Sequence, residues 1–224
     1  MDIMFTDKEM DLLKEFYFWC FNERAEKEEQ SGMGTKTWRV SYWVYDLMEN
    51  LTLGEEEYSK VRLPIWLNYM PKYRVQTAML QYGRKKRLMF EEMKKAKTLP
   101  SNLLVCEVAY GVDIVLAMMI KKWGKIMCYD HNSAYGDFLK SFFVNRHNLN
   151  LTFVGTSSSD YRFDEIQEDT LVISNNTHIA VGEPSERIRN NKNLLYLRDG
   201  VFVPQDSMPL TTEECREKLG RGYL

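Results

Sequence analysis

Four short runs of apolar residues after Pro100 constrain the fold of this chain more than any other feature. They cover residues 103–108, 126–129, 151–154 and 171–174. Each run is too short for a helix, and helix-length segments or loops separate the runs. Strands that are apolar on both faces occur where helices cover both sides of a sheet. The pattern therefore predicts an α/β fold with a mostly parallel sheet.

The chain before and after these four runs has different sequence patterns. Two short strands, 194–197 and 201–203, flank Asp199-Gly200 and predict an antiparallel hairpin at the edge of the sheet. Residues 1–98 carry helical patterns instead. We expect two domains in the 224 residues: an N-terminal helical region, 1–98, that acts as a lid or interaction part, and the α/β domain, 99–224.

The first helix has a clear start and stop. Thr6 and Glu9 have the spacing of a capping box, and the apolar pattern ends at Ser31-Gly32. Aromatic residues surround most of this helix, so we expect an excess apolar face to pack on the sheet or on a partner subunit; they are Phe16, Tyr17, Phe18, Trp19 and Phe21. Further helices are predicted over 38–53, over 58–65 with an interruption at Pro64, and from Pro71 to about Lys97, where Gly83 weakens the middle.

The last of these helices carries a dense basic stretch, Arg84, Lys85, Lys86 and Arg87. Such a run predicts a solvated helix face, and the alternative is contact with nucleic acid or an acidic partner. The net charge of −2 gives no whole-chain attraction to polyanions. Any such contact would therefore have to be local.

The cysteines and the N-terminus bear on localisation. Cys20, Cys106, Cys128 and Cys215 are widely separated, and two of them fall in predicted strands, which favours buried thiols in a reducing compartment. The N-terminus has acidic residues instead of a secretory pattern, and no apolar run is long enough to span a bilayer. These features predict a cytoplasmic protein without membrane contact.

The first two strands end in residues suited to ligand binding. Glu107-Val108-Ala109-Tyr110-Gly111-Val112-Asp113 follows the first strand and leads into a helix, a unit that brings backbone N–H groups near a nucleotide. Asp130 ends the second strand, where a carboxylate can accept hydrogen bonds from ribose hydroxyls. For each acid the structural alternative is a capping or turn role.

These two motifs resemble the first two motifs of class I S-adenosylmethionine-dependent methyltransferases, which have a Rossmann-like sheet. The resemblance extends through 151–156 and 169–176, although Ala109 and Asp113 stand where that family usually has glycines. It implies that S-adenosylmethionine is the cofactor. The implied cofactor contacts are Glu107, Ala109, Tyr110, Gly111, Asp130, His131, Thr156 and Ser157.

The catalytic residues are less defined. Asn175, Asn176 and His178 follow the fourth strand, where substrate and cofactor would meet, and a polar loop is the structural alternative. The histidines lack metal-ligand partners at the usual spacing, so no metal site is predicted. A G-x-G-x-x-G fingerprint would need glycines at Ala109 and Ile114, which disfavours a dinucleotide site.

Two functions follow from these observations. One is methyl transfer to an unidentified acceptor, for which alignment matters more than a strong base. The other is a methyltransferase-like module that has lost catalysis and serves binding or assembly, using the basic and aromatic helices. The missing glycines and the short connection between Asn176 and Leu194 favour the second.

Overall fold

In the computed structural model, a six-stranded sheet lies in the second of two compact units, Met1–Glu91 and Glu92–Leu224. The structure describes residues 5–31, 47–61, 72–108, 111–131, 133, 135–156, 166–174, 195–198 and 201–203. The predicted second helix is described only over 47–53. Pro64 and the connection between Asn176 and Leu194 lie outside the described residues.

The sheet has the spatial order β3-β2-β1-β4-β5-β6. Its strands are β1 (Asn102–Cys106), β2 (Ile126–Asp130), β3 (Leu151–Gly155), β4 (Thr170–Ser174), β5 (Leu195–Arg198) and β6 (Val201–Val203). Parallel pairing joins β1 through β5, and β6 pairs antiparallel with β5 at the edge. The predicted Rossmann-like α/β class is confirmed, and so is the terminal hairpin.

Burial along the strands follows their place in the sheet. In the central strand β1 four consecutive residues, from Leu103 to Cys106, are buried, so both faces of this strand are covered. At the edge, β3 has no buried residue among its five. The short apolar runs therefore indicate where the strands lie in the sequence. The edge strand β3 is the one that tolerates partial exposure.

Two helical segments lie between the first three strands. The helix α5 (Val112–Ile120) joins β1 to β2, and α6 (Tyr135–Leu139) joins β2 to β3 with a continuation of π-helix, Lys140–Arg146. Its Phe142 and Phe143 are fully buried and meet edge to face, with ring centroids 5.0 Å apart. Wide π turns are uncommon, and this one places two successive large rings in the core.

The first unit is helical in its described part. Its helices are α1 (Asp7–Ser31), α2 (47–53), α3 (Glu55–Val61) and α4 (Lys72–Lys95). The predicted capping box is confirmed: the Thr6 backbone N–H donates to Glu9 Oε2 at 2.8 Å, and the Glu9 N–H donates to Thr6 Oγ1 at 3.3 Å. The described part of α1 extends to Ser31, and the predicted stop at Gly32 lies outside the described residues.

Aromatic and aliphatic side chains form the core of this first unit. Phe16 faces inward and is completely buried, whereas Phe18 on the same helix is 58% exposed. Phe5 stacks on Phe90 with centroids 5.1 Å apart. The aromatic excess on α1 is therefore divided between core and surface, because neighbouring positions on a helix point about 100° apart.

The basic stretch on α4 differs from the prediction of a solvated face. Arg84 is exposed, but Lys86 and Arg87 are buried, at 7% and 8% relative exposure. The Arg87 guanidinium donates from Nη1 to Asn50 Oδ1 at 2.6 Å, so this cation has a buried hydrogen-bond acceptor in α2. The long aliphatic stems of lysine and arginine can line a core while their polar ends find partners.

A close approach of α2 to α4 explains the glycine in the middle of α4. A Cβ atom at Gly83 would lie 2.5 Å from Asn50 Oδ1 and 2.7 Å from its Cγ. The same Asn50 amide accepts the hydrogen bond from Arg87. Gly83 therefore makes room for the side chain that holds a buried arginine.

The described cysteines are buried thiols, as predicted. Cys20, Cys106 and Cys128 are free and buried, and burial raises the pKa of both strand thiols above the usual value. Cys215 lies outside the described residues. Across the part of the chain that the structure describes, no helix is both long and apolar enough to cross a membrane.

Candidate functional site

The carboxyl ends of β1, β2 and β3 meet at one edge of the sheet, because the three strands are parallel neighbours. Glu107 follows β1, Asp130 is the last residue of β2, and Thr156 follows β3. The strand order changes direction at β1, which has β2 on one side and β4 on the other. Ligands of doubly wound sheets bind in the crevice beside such a switch point.

Glu107 turns the chain out of β1 in an unusual backbone conformation. Its φ is 55°, in the left-handed region that side chains other than glycine seldom adopt. Such a conformation costs about 1–3 kcal/mol and persists only where the surroundings hold it, and conformations of this kind cluster at functional sites. The Glu107 side chain is only 10% exposed. A nearly buried carboxylate on a strained backbone thus lies at the edge of the sheet where a ligand is expected to bind.

Asp130 lies deeper than Glu107, with 1% relative exposure. The Thr156 backbone N–H donates to the Asp130 carbonyl at 2.9 Å, which ties the end of β2 to the chain leaving β3. Gly155 pairs with Asp130 in register, and a Cβ there would lie 2.8 Å from the Ser133 Cα. The loop after β2 and the end of β3 therefore pack closely around the Asp130 backbone.

His131 connects the two carboxylates. Its Nδ1 lies 2.9 Å from Glu107 Oε2 and 3.5 Å from Asp130 Oδ1. The side chain is 64% exposed, whereas both carboxylates are nearly buried. The hydrogen bond with Glu107 raises the pKa of His131 above its ordinary value, and the charges of Glu107 and Asp130 act in the same direction against partial burial.

The three side chains form a compact group that we call the carboxylate-imidazole cluster: Glu107, Asp130 and His131. One ligand-type atom from each lies within 4.8 Å of the other two. The 2.9 Å contact between His131 and Glu107 is the length of a charge-assisted hydrogen bond. The imidazole thus acts as a donor to a carboxylate at this site.

The turn between β1 and α5 supplies backbone donors at the same edge. Gly111 is the N-cap of α5 with φ 87° and ψ 26°, and its own N–H donates to the Val108 carbonyl at 2.8 Å. The first turn of a helix leaves N–H groups without intrahelical acceptors, and the helix dipole favours anions there. A Cβ at Gly111 would lie 2.6 Å from Phe143 Cε2. The absence of a side chain therefore permits both the left-handed turn and the close packing against Phe143.

Asp113, which replaces a glycine of the motif, is buried at 2% relative exposure in the first turn of α5. Its charge contributes to the raised pKa of the Cys128 thiol on β2, after burial and Cys106. The carboxylate is therefore turned into the protein, near β2. It is not displayed on the solvent side of the turn, where it would repel an anionic group of a ligand.

The remaining sequence-predicted site residues cannot be placed in this geometry. Ala109, Tyr110 and Ser157 lie outside the described residues, and so do Asn175, Asn176 and His178. What the sequence did not reveal is the hydrogen bond between His131 and Glu107, which belong to different strand ends. The available signal was that β1 and β2 would be parallel neighbours, which brings the residues after each strand together.

Comparisons with known proteins give similarity at the level of structure alone. No protein-family model matches the chain, and no curated protein matches it. A structure of coclaurine N-methyltransferase bound to N-methylheliamine and SAH is 11% identical, with a TM-score of 0.37, over 85% of this chain and 62% of that protein. A structure of WbdD is 11% identical, with a TM-score of 0.34, over 60% of this chain and 31% of that protein. The chain thus spans less than two thirds of the length of either one.

Proposed function

We propose that this protein binds S-adenosylmethionine at the carboxyl ends of β1 to β3 and transfers its methyl group to an acceptor. The observation that carries the proposal is the convergence of two nearly buried carboxylates, Glu107 and Asp130, beside the switch point of the sheet. The resemblance of the sequence motifs to class I methyltransferases supplies the choice of cofactor.

The two carboxylate acceptors fit the nucleoside part of this cofactor. A ribose has two adjacent hydroxyl donors, and an ionised carboxylate has only acceptor oxygens. Hydrogen bonds to a charged acceptor are stronger than neutral ones, and exclusion of water strengthens them further. We assign Asp130 to the ribose, with Glu107 as the second acceptor, since one is 1% exposed and the other has a side chain 10% exposed.

The turn at Gly111 and the first turn of α5 fit the amino-acid end of the cofactor. The N–H groups of the first turn of α5 and the helix dipole favour a carboxylate such as that of a bound amino acid, whereas the Gly111 N–H already donates to the Val108 carbonyl. Asp113 does not oppose this, because its carboxylate is buried toward β2. The geometry therefore offers separate places for a diol and for an anionic group on one edge.

When bound, S-adenosylmethionine supplies an electrophilic methyl group on sulfur. The protein's part in such a transfer is to hold donor and acceptor in line and to exclude water, which accounts for a large share of the rate in reactions of this kind. We keep Asn175, Asn176 and His178 as candidates for contacting the acceptor. His178 would be the group able to take a proton from it.

Calorimetric titration with S-adenosylmethionine and with S-adenosylhomocysteine tests this proposal. The Asp130→Asn variant keeps the shape of the side chain but loses the charge, and we expect affinity to fall roughly 10- to 100-fold, the equivalent of one hydrogen bond to a charged group. Glu168→Gln is the matched control, because it removes one exposed carboxylate at the opposite edge, just before β4. Circular dichroism checks that each variant is folded.

The outcomes are distinct. Absence of binding by the wild-type protein at millimolar ligand would refute the proposal. Equal affinity for wild type and Asp130→Asn would show that the ligand binds elsewhere. Binding that is lost in Asp130→Asn, with no methyl transfer to any acceptor tested, would support the alternative of a binding module that has lost catalysis.

A further inference from the structure

We infer that the His131 side chain is a proton-operated latch on the carboxylate-imidazole cluster, which a nucleoside must displace in order to bind. This inference rests on the proposed function and names how that same site is regulated. It starts from geometry: the His131 Nδ1 already donates to Glu107 Oε2 at 2.9 Å and lies 3.5 Å from Asp130 Oδ1. The imidazole therefore stands between the two acceptors assigned to the ribose.

A ribose and the imidazole cannot satisfy these acceptors in the same way at the same time. Only one donor can occupy the lone-pair direction of Glu107 Oε2 that faces His131. Asp130 Oδ1 lies 3.5 Å from the same Nδ1, and the Asp130 side chain is 2% exposed, so the imidazole is also close to a donor that approaches this oxygen. Binding of a diol therefore requires the imidazole to move away from Glu107.

The surroundings of His131 allow that movement. Its side chain is 64% exposed, so rotation into solvent breaks one hydrogen bond and little packing. Glu107 and Asp130 are held on the ends of strands, and Glu107 is fixed in a strained backbone conformation. The mobile partner of the cluster is therefore the histidine.

The charges around the ring determine the direction of the pH effect. Among the described residues, those that act on His131 are Glu107, from the end of β1, and Asp130, from the end of β2. The neighbouring end of β3 contributes Gly155 and Thr156, which carry no charge. Asp113 is buried in the first turn of α5, and its charge acts on the Cys128 thiol.

The two carboxylates favour the protonated imidazole, so the latch is strongest when His131 is charged. Once His131 has moved into solvent, its pKa returns toward the ordinary value of 6.5. Binding then releases a proton when the pH lies between the pKa of His131 in the complex and the raised pKa of the closed cluster. Above this range His131 is neutral in both states, and below it His131 stays protonated in both. Affinity should fall as the pH drops through that raised pKa, and it should level off below the pKa that His131 has in the complex.

Calorimetric titration with S-adenosylhomocysteine at about pH 6 and about pH 8 tests the latch, since histidine changes charge in this range. EDTA is present throughout, and two buffers with different ionisation enthalpies are used at each pH, so that proton release is measured directly. We expect the wild-type affinity to be lower at the acidic pH, by about tenfold for each unit by which the pKa of His131 falls on binding. Proton release is measured in addition at about pH 7, just above the ordinary histidine pKa, where it should be greater than at about pH 6.

The His131→Ala variant should bind at the acidic pH about as well as wild type binds at the alkaline pH, and with little proton release. His147→Gln is the matched control, because His147 is a half-buried histidine of the same unit that lies beside Phe142, with ring centroids 4.7 Å apart. This control should keep the wild-type pH dependence. A direct ligand contact by His131 would instead lower affinity in His131→Ala equally at both pH values.

The failures of the two proposals are distinguishable. Binding with the same pH dependence in wild type and His131→Ala would overturn the latch and leave the cofactor proposal standing. Binding that weakens equally at both pH values in His131→Ala would also overturn the latch. Absence of binding by wild type and variants at either pH would overturn both.

Discussion

Replacement of Gly111 by alanine should destabilise the second unit for two separable reasons. The first is backbone conformation, because Gly111 has φ +87° and alanine disfavours the left-handed region. The second is packing. A Cβ at this position would lie 2.6 Å from Phe143 Cε2 and 2.8 Å from Leu139 Cδ2, closer than real Cβ contacts allow.

The magnitude follows from adding the two effects. A left-handed alanine costs about 1–2 kcal/mol, and forcing one extra methyl into a packed core costs about 1–3 kcal/mol, so we expect a loss of about 2–5 kcal/mol in the free energy of unfolding. Gly54→Ala is the matched control, since Gly54 has φ +82° and a Cβ added there would meet nothing within 4 Å. Gly54→Ala should lose only the part of the unfolding free energy that comes from the left-handed backbone conformation.

Urea unfolding followed by circular dichroism measures both variants. Hydrogen exchange at the amides of α5 and of residues 47–53 reports the two units separately, because Gly111 and Gly54 belong to different ones. We expect Gly111→Ala to lose about 1–3 kcal/mol more than Gly54→Ala, the overpacking share. Equal losses would refute the reasoning, because they would mean that Phe143 and Leu139 move aside without cost.

Two further predictions concern caps on backbone N–H groups. A hydrogen bond with the Ser101 side chain lowers the pKa of the Asp169 carboxyl below 3.8, and the Ser101 N–H, which donates to Asp169 Oδ2 at 3.0 Å, acts in the same direction. Its stabilisation is present above the unfolded-state pKa and is lost as the pH falls through the folded-state pKa. Asparagine tolerates the φ of 61° at this position, so Asp169→Asn tests the charge alone. The variant should be less stable than wild type at neutral pH and approach wild-type stability in acid. A difference in the free energy of urea unfolding that stays constant across pH would contradict this. Thr6→Ala removes the hydroxyl that caps α1 and should cost about 0.5–2 kcal/mol in thermal unfolding. Thr6→Ser should retain most of that stability, and equal losses in the two variants would show that the hydroxyl is not the cause.

The ends of the strands could be predicted to within two residues, for a physical reason. A strand covered on both faces has apolar side chains at successive positions, and β1 shows this with buried residues from Leu103 to Cys106. The alternation with helices then determines parallel pairing and neighbour order to a large extent. Local capping was also predictable, because the Thr6 to Glu9 motif lies within one turn and needs no tertiary information.

The fate of the basic stretch on α4 could not be predicted in the same way. Residue type favours exposure for lysine and arginine, but Lys86 and Arg87 are buried. What decides this is the approach of Asn50, which needs the missing side chain of Gly83 and accepts the Arg87 guanidinium at 2.6 Å. That approach joins residues 37 positions apart, and helical periodicity carries no information about it.

The candidate site shows the same difference between what strand pairing makes predictable and what depends on side-chain contacts. Sequence motifs could place Glu107 and Asp130 at the ends of neighbouring strands, because parallel pairing alone brings those ends together. They could not show that His131 would bridge the two acids, since this depends on side-chain rotation after each strand. Nor could they show where Asp113 points. A carboxylate in place of a glycine suggests repulsion of an anionic ligand, yet its burial near Cys128 removes that objection. The departure of the motif at residue 113 is therefore weaker support for lost binding than the sequence alone implied, and the charge that controls the site is the proton on His131.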